Sequence, residues 1–200
     1  AGPWIERGRI ATPIDSFALD ATTFEHAGAR WLLWAQKDPA IAGNTNLYLA
    51  PLANPWTLAA APVRLSRPDL PWEQVGFLVN EGPAVLVHGG KVIVTYSASA
   101  TDHNYCMGLL WADAGADLMD ASAWHKSPQP VLASANGQYG PGHNSFTTTK
   151  DGALDLLVYH ARNYRDIVGD PLHDPNRHAR AQAFGWRADG LPDFGQPLPD

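Results

Sequence analysis

The chain has 200 residues, of which 45% are hydrophobic, and it carries a formal net charge of −6 at pH 7. Because no basic stripe accompanies this acidic balance, nucleic acid and anionic membranes are disfavoured as partners, and uncharged, hydroxyl-rich substrates fit better. A single cysteine, Cys106, excludes an intrachain disulfide. No apolar run reaches the roughly 18 residues of a membrane-spanning helix, and the sequence as it stands shows no signal-peptide pattern. We therefore expect a soluble protein, either cytoplasmic or secreted.

Short β strands separated by turns are predicted along the whole chain. Val, Leu, Thr, Tyr and Trp are frequent in the strands, and glycine turns such as Gly89-Gly90 separate neighbouring strands. No helical periodicity persists long enough to compete with this pattern. The expected strands cover residues 18–26, 30–36, 46–52 and 63–66, then 80–88, 91–97, 106–112 and 130–133, then 143–149, 154–160, 179–186 and 194–198.

These strands form three units that repeat about every 62 residues, over residues 14–70, 75–134 and 138–200. Repeats of this length made of short strands are typical of radial β architectures, because one unit cannot bury its faces alone. We predict an all-β fold: a single, partial β-propeller domain of three four-stranded antiparallel blades over residues 1–200.

Three blades make a poor closed ring, since propellers typically have about four to eight. The two open faces would expose apolar side chains to water, and two copies of the chain around a twofold axis would cover them. The sequence therefore predicts a homodimer that closes the propeller.

Each unit carries a polar residue near the start of its first strand, namely Asp20, Glu81 and His143. The three occupy nearly equivalent repeat positions, offset from one another by one residue. Because the innermost strands of a propeller direct their ends at the axis, we expect these side chains to converge on one site.

Glu81 has the surroundings of a carboxyl that stays protonated near neutrality. It follows the apolar run 77–79 and precedes Gly82-Pro83, so desolvation should raise its pKa, and a nearby ionised Asp20 should raise it further. The residues alone also allow a strand-end Glu81 that bonds backbone amides and a turn-forming Asp20, with Asp15 as a competing carboxylate.

His143 and Arg162 each allow two interpretations. Gly140, Pro141 and Gly142 precede His143 and imply a backbone packed closely at the axis, which suits either a neighbour of a metal ion or a histidine held by hydrogen bonds. A lone histidine is a weak calcium signal, because calcium prefers several oxygen donors. Arg162 either clamps a sugar hydroxyl or a catalytic carboxylate, or bridges an acidic neighbour.

Most tryptophans recur at repeat positions, which favours a place in the core between blades over a sugar-stacking platform. Trp72 is the exception, because it lies with Phe77 in the loop before the Glu81 strand. These two aromatic residues are predicted to form a wall of the substrate pocket.

Four motifs, in order and at blade spacing, resemble the later blades of glycoside hydrolase family 43. They are Ala-Leu-Asp-Ala-Thr-Thr-Phe-Glu-His around Asp20, Val-Asn-Glu-Gly-Pro around Glu81, Tyr-Gly-Pro-Gly-His-Asn-Ser-Phe around His143, and Tyr-His-Ala-Arg ending at Arg162. The resemblance covers essentially all 200 residues. It implies part of a five-bladed propeller whose members act mostly as α-L-arabinofuranosidases, β-xylosidases or arabinanases, with inversion at the anomeric carbon.

The resemblance also implies roles for the four residues. Glu81 would be the general acid, Asp20 the carboxylate that orients it and tunes its pKa, His143 the axial histidine beside a calcium ion or water, and Arg162 a substrate contact. The family's general base is an aspartate on the first blade, and the matched sequence starts near the end of the second. The hydrolysis requires no cofactor, and calcium is the metal considered beside His143.

The sequence therefore predicts a glycosidase that removes terminal α-L-arabinofuranosyl or β-D-xylosyl residues from hemicellulose oligosaccharides. Inverting hydrolysis needs a protonated carboxyl and an ionised carboxylate roughly 6.5 to 9.5 Å apart. Without the family's base, activity would be impaired, and the alternative function is a propeller that binds a pentose without cleaving it.

Overall fold

The computed structural model describes residues 2–200 and contains three antiparallel β sheets. The first sheet has the order β1 to β4, with β5 also paired to β3; the second runs in order from β6 to β9, and the third from β10 to β13. The strands are β1 (Ala18–His26), β2 (Ala29–Gln36), β3 (Asn46–Asn54), β4 (Thr57–Leu58), β5 (Val63–Ser66), β6 (Asn80–His88), β7 (Lys91–Ala98), β8 (Cys106–Asp113), β9 (His125–Lys126), β10 (Tyr139–Thr148), β11 (Asp155–Arg162), β12 (His178–Trp186) and β13 (Pro192–Asp193).

The all-β partial propeller predicted from the repeat is confirmed. Each sheet is one blade, and β1, β6 and β10 are the neighbouring inner strands that pack against one another. Three short 3₁₀ helices lie in the connections, at Pro71–Glu73, Ala121–Ala123 and Pro171–His173. Among residues 2–200, no helix is long and apolar enough to cross a membrane.

The outermost strands differ from the prediction. The strand expected at 130–133 is reduced to a single bridge between Met107 and Leu132, and β9 pairs with β8 instead. The strand expected at 194–198 is replaced by the two-residue β13. An outer strand has one neighbour only, and the prolines in both predicted segments cannot donate to a ladder, so little regular pairing survives there.

Apolar side chains fill both junctions between blades. The first cluster joins Leu33 and Leu47 of the first blade to Val94 and Tyr96 of the second. The second joins Met107 and further residues of the second blade to the third. Both clusters include tryptophans expected there: Trp31 and Trp124 pack in or against the first, and Trp111 and Trp186 against the second. Trp56 is 42% exposed and is the exception. Trp72, predicted to line the pocket, packs against the first cluster instead.

The outer face of the first blade is covered within the chain itself. Leu32 and Trp34 point away from the second blade, yet they are only 6% and 3% exposed, because Ile10 and Ile14 pack over them. The Gln36 side chain ties this segment down by donating to the Ile14 carbonyl at 2.6 Å. The apolar area that a second copy would cover is therefore smaller than the sequence suggested, and the homodimer stays a prediction.

Candidate active site

The inner strand of each blade bends at a β-bulge, and the bulge sets the position of the site. The register shifts after Leu19 in β1, after Glu81 in β6 and after Gly142 in β10. The residue that follows has a positive φ in every case: 55° at Asp20, 56° at Gly82 and 47° at His143. Two of the three are not glycine, and backbone strain of this kind is typical of functional sites.

These bulges correct the predicted equivalence of the repeats. The residues at matching positions are Asp20, Gly82 and His143, and Glu81 lies one position earlier, where the other blades have Leu19 and Gly142. A bulge adds a residue to one strand of a pair, so alignment by residue type alone places the acid one position out of register.

Asp20, Gly82 and His143 meet at the axis. The Gly82 amide donates to Oδ2 of Asp20 at 3.0 Å, and Nε2 of His143 lies 3.8 Å from Oδ1 of the same carboxylate. A Cβ on residue 82 would lie 3.0 Å from Cγ of His143, so the imidazole packs directly on the glycine backbone. The first strands of the blades thus bring Asp20 and His143 together, two of the three residues expected to converge at the axis.

Glu81 is partly buried beside this group, and its pKa is raised. Burial is the main cause, and the Asp20 charge raises the pKa further. A hydrogen bond from the Tyr105 hydroxyl to Oε1, at 2.6 Å, opposes these effects, as do the positive charges of His143 and Arg177. The net result is a pKa of Glu81 above its ordinary value, the direction that suits a group donating a proton to a leaving oxygen.

Glu81 faces a cleft of about 370 Å³. Phe77, which is 48% exposed, forms part of the wall, together with Phe17 and Leu172. Asn44 and Asp170 supply polar side chains. The cleft is therefore largely apolar with a few polar groups, as small-molecule sites generally are.

Two other predicted pocket residues lie elsewhere, and the first is Trp72. It packs against the core between the first two blades, tilted on Tyr96 with 6.3 Å between the ring centroids, and its Nε1 donates to the Pro128 carbonyl. The structure does not bring Trp72 to the cleft, because the 3₁₀ turn at Pro71–Glu73 directs it inward. Phe77 is the aromatic residue of that loop that reaches the cleft.

Arg162 is the second predicted pocket residue that lies outside the cleft, and it is placed behind the cleft wall. It is 1% exposed, and its guanidinium donates to the carbonyls of Thr101 and Pro171 at 2.8 and 2.9 Å, two residues that line the cleft. Its Nε also lies 3.4 Å from Asp174. Arg162 thus holds the 163–177 loop against the second blade. Its closeness to Asp174 matches the alternative that Arg162 bridges an acidic neighbour, and direct contact with substrate stays a prediction.

Three residues near Glu81 were missed by sequence reasoning: Tyr105, His160 and Arg177. The His160 ring stacks on Tyr105, and burial lowers its pKa to about 4, helped by the nearby positive charges of Arg177, His143 and Arg162. The long loop that ends at Arg177 was an available signal, since loops of this length often carry function. Tyr105 had no signal of its own in the sequence.

No group of three or more His, Cys, Asp or Glu side chains is arranged to hold a metal ion within residues 2–200. His143 has one carboxylate neighbour, Asp20, where calcium would need several oxygen donors. Calcium beside His143 stays a prediction, to be tested by whether chelation and calcium addition change the melting temperature.

A partly buried acid with a raised pKa beside a second carboxylate is an arrangement typical of glycoside hydrolases. Comparison with known sequences agrees, because the model of glycosyl hydrolases family 43 matches residues 1–192. The chain therefore belongs to glycosyl hydrolases family 43.

Individual relatives are similar over the full length of the chain. An extracellular exo-α-(1→5)-L-arabinofuranosidase from Streptomyces avermitilis is 60% identical over 201 aligned residues, which are 100% of this chain and 42% of the relative. The alpha-L-arabinofuranosidase 43 of Humicola insolens is 58% identical over 98% of this chain and 42% of the relative. The chain thus spans less than half the length of these curated relatives.

Solved structures share the fold. The crystal structure of an α-L-arabinofuranosidase from Lactobacillus brevis superposes with a TM-score of 0.96 at 57% identity, over 98% of this chain and 61% of that chain. A thermostable family-43 glycoside hydrolase superposes with a TM-score of 0.71 at 26% identity, over 92% of this chain and 61% of that one.

Proposed function

We propose that Glu81 is the general acid of a glycosidase that acts on terminal α-L-arabinofuranosyl residues. The observation that carries this proposal is the environment of Glu81, a partly buried carboxyl with a raised pKa that opens on a cleft beside a second carboxylate. The similar proteins support the arabinofuranosyl substrate, since relatives at 55 to 60% identity are named as arabinofuranosidases. β-D-xylosyl residues are the alternative substrate.

In this proposal, Glu81 donates its proton to the leaving oxygen as the glycosidic bond breaks, and Asp20 lies beside it. The Gly82 amide stabilises the Asp20 carboxylate, whose charge keeps the pKa of Glu81 high before the reaction. Phe77 and the other apolar wall residues limit access of water to the acid. Inversion would need a second carboxylate roughly 6.5 to 9.5 Å away to activate water, and the resemblance assigns that base to an earlier blade.

The test compares the purified chain with its Glu81→Gln variant on 4-nitrophenyl α-L-arabinofuranoside, the corresponding β-D-xylopyranoside and an arabino-oligosaccharide. The amide that this substitution introduces still accepts a hydrogen bond but cannot donate an acidic proton. We expect turnover of the arabinofuranosides by the wild type, with a larger loss on the oligosaccharide than on the activated aryl glycoside, because a good leaving group needs little protonation.

The matched control is Glu25→Gln, which removes a carboxylate that is 72% exposed and pairs with Arg30 away from the cleft. It should leave both activities unchanged. Equal losses on both substrates in Glu81→Gln would contradict the acid role. Binding of the oligosaccharide by calorimetry without turnover would favour the binding-only alternative, and neither binding nor turnover would overturn the proposal.

We also propose an extracellular location, because two similar proteins from Streptomyces are named as extracellular enzymes. Recovery of the protein from the culture medium, rather than from cells of its source, would test this.

A further inference from the structure

A buried tyrosine contacts the proposed acid directly. Tyr105 precedes β8, is 1% exposed, and donates its hydroxyl to Oε1 of Glu81 at 2.6 Å. Its ring stacks on His160, with 5.5 Å between the centroids and 13° between the planes. The phenol is thus fixed on one side by a ring and at its tip by a carboxyl.

One glycine of β10 makes room for this ring. A Cβ at Gly142 would lie 2.4 Å from Cε1 and 2.6 Å from Cδ1 of Tyr105, so any side chain at residue 142 would displace the phenol. Gly140 instead admits the Asp102 carbonyl, which would lie 2.3 Å from a Cβ there. Gly142, directly before His143, therefore reflects the placement of Tyr105 between the second and third blades.

The protonation of the phenol sets the direction of its hydrogen bond. Burial and the neighbouring Glu81 charge hold the pKa of Tyr105 well above its usual range, so the phenol keeps its proton and can donate a hydrogen bond to Oε1 of Glu81. Beside it, the backbone amide of His143 donates to Oγ of Ser97 at 2.7 Å, which joins the second and third blades next to the ring.

We infer that Tyr105 is a positioning residue that keeps Oε1 of Glu81 as a hydrogen-bond acceptor, so that the acid carries its transferable proton on Oε2. This inference rests on the proposed function. Among residues 2–200, Tyr105 is the one side chain that donates to the Glu81 carboxyl, which leaves Oε2 for the cleft. Without the phenol, the proton would be shared between the two oxygens.

The test is Tyr105→Phe, which keeps the ring in its niche and removes only the hydroxyl. The charged and titratable groups around Glu81 remain in this variant: Asp20 on β1, His143 on β10, Asp170 and Arg177 on the long loop, and His160 behind the ring. Tyr159→Phe is the matched control, because it removes another buried hydroxyl, which donates to Gln182 at 2.9 Å within the third blade.

The first readout does not depend on turnover. The Glu81 carboxyl is titrated by ¹³C NMR, with its signal assigned by Glu81→Gln. The pKa of Glu81 should rise in Tyr105→Phe, because the lost hydrogen bond favoured the ionised form, and should be unchanged in Tyr159→Phe. An unchanged pKa in a folded Tyr105→Phe overturns the inference. If that variant does not fold, 3-fluorotyrosine at position 105 replaces it: its more acidic phenol donates a stronger hydrogen bond, so the pKa of Glu81 should fall, and an unchanged pKa would contradict the inference.

The second readout is kinetic. On the oligosaccharide, Tyr105→Phe should lower kcat about tenfold with KM unchanged, since a hydrogen bond to a charged group contributes about that factor. The alkaline limb of the pH profile should move to higher pH. A fall in kcat with no movement of that limb would indicate a structural role and overturn the inference. Absence of wild-type turnover would instead contradict the proposed function, while the NMR titration would still decide the role of Tyr105.

Discussion

The niche around Tyr105 gives a direct test of the geometry at the site. The change is Gly142→Ala, which adds one methyl group where the structure has no space. The new Cβ would lie 2.4 and 2.6 Å from two ring carbons of Tyr105 and 2.9 Å from Oγ of Ser97. Because real Cβ atoms do not approach other heavy atoms closer than about 3.0 Å, the ring must move.

The magnitude follows from what the methyl group meets. Forcing extra atoms into a packed core typically costs about 1 to 3 kcal/mol, and loss of the hydrogen bond to the Glu81 carboxyl adds about 1 kcal/mol. Tyr105 is held by His160 and its own burial, so it cannot swing aside as an exposed side chain would. We therefore expect Gly142→Ala to lower the free energy of unfolding by about 3 kcal/mol.

The assay is urea unfolding with linear extrapolation, and Gly185→Ala is the control. Gly185 also lies in a strand, β12, without a positive φ, and a Cβ there would meet nothing within 4 Å. That control should be neutral or stabilise by up to about 1 kcal/mol. In a Tyr105→Ala background, Gly142→Ala should lower the free energy of unfolding much less, because the ring that the new methyl group would meet is no longer there. Equal effects of the two glycine substitutions in the wild-type background would refute the reasoning.

Other buried groups give further expected outcomes. Asp20→Asn should lower the pKa of Glu81 by removing a neighbouring negative charge, so the alkaline limb of activity should move to lower pH; an unchanged profile would remove Asp20 from the site. His160 should titrate near pH 4 by NMR, because burial lowers its pKa from 6.5 to about 4. In the unfolded chain His160 has its ordinary pKa of 6.5, so as the pH falls it binds a proton there before it does so in the folded chain. The contribution of neutral His160 to the free energy of unfolding should therefore be fully present above pH 6.5 and be lost as the pH falls towards 4. His160→Phe should flatten that fall and His173→Phe, at a side chain 86% exposed, should not. Glu73 is fully buried, 2.7 Å from Nζ of Lys126. Glu73→Gln should therefore cost about 3 kcal/mol in urea unfolding, and a loss below about 1 kcal/mol would show that the pair is not isolated from water.

The inner and middle strands of each blade could be predicted because their signal is strong and redundant. β1 and β6 have the predicted bounds, since alternating apolar residues, glycine turns and a fixed period all indicate the same elements. β10 begins at Tyr139, four residues before the predicted start at 143, because Gly140, Pro141 and Gly142 give no apolar alternation there. The outer strands could not be predicted equally well. They are held by one neighbour and carry prolines, so their positions depend on tertiary contacts that leave no periodic signal in the sequence.

The residues at the axis were identifiable by type, but their register was not. Gly82 is the one bulge position where residue type indicates a positive φ, because glycine adopts it without strain. Asp20 and His143 adopt the same conformation with side chains that give no such sign. The one-residue offset of Glu81 therefore emerges only when the strand pairing is known.

Contacts made by loops were the least predictable part of the site. Tyr105 reaches Glu81 from the loop before β8, and Arg162 bonds the carbonyls of Thr101 and Pro171 from beneath the cleft wall. Neither contact repeats from blade to blade. A repeat analysis therefore finds the scaffold, and it misses the contacts that differ between blades.

The position directly before the bulge shows how a repeated scaffold can yield a single acid. Leu19, Glu81 and Gly142 have the same place in the register of their blades. Leu19 lines the cleft, and Gly142 leaves the space that Tyr105 fills. The middle blade is the one of the three described blades with a described neighbour on both sides. Asp20 comes from the blade before it, and Gly142, which admits the Tyr105 ring, comes from the blade after it. The raised pKa of Glu81 and the direction of its hydrogen bond with Tyr105 therefore depend on residues of both flanking blades.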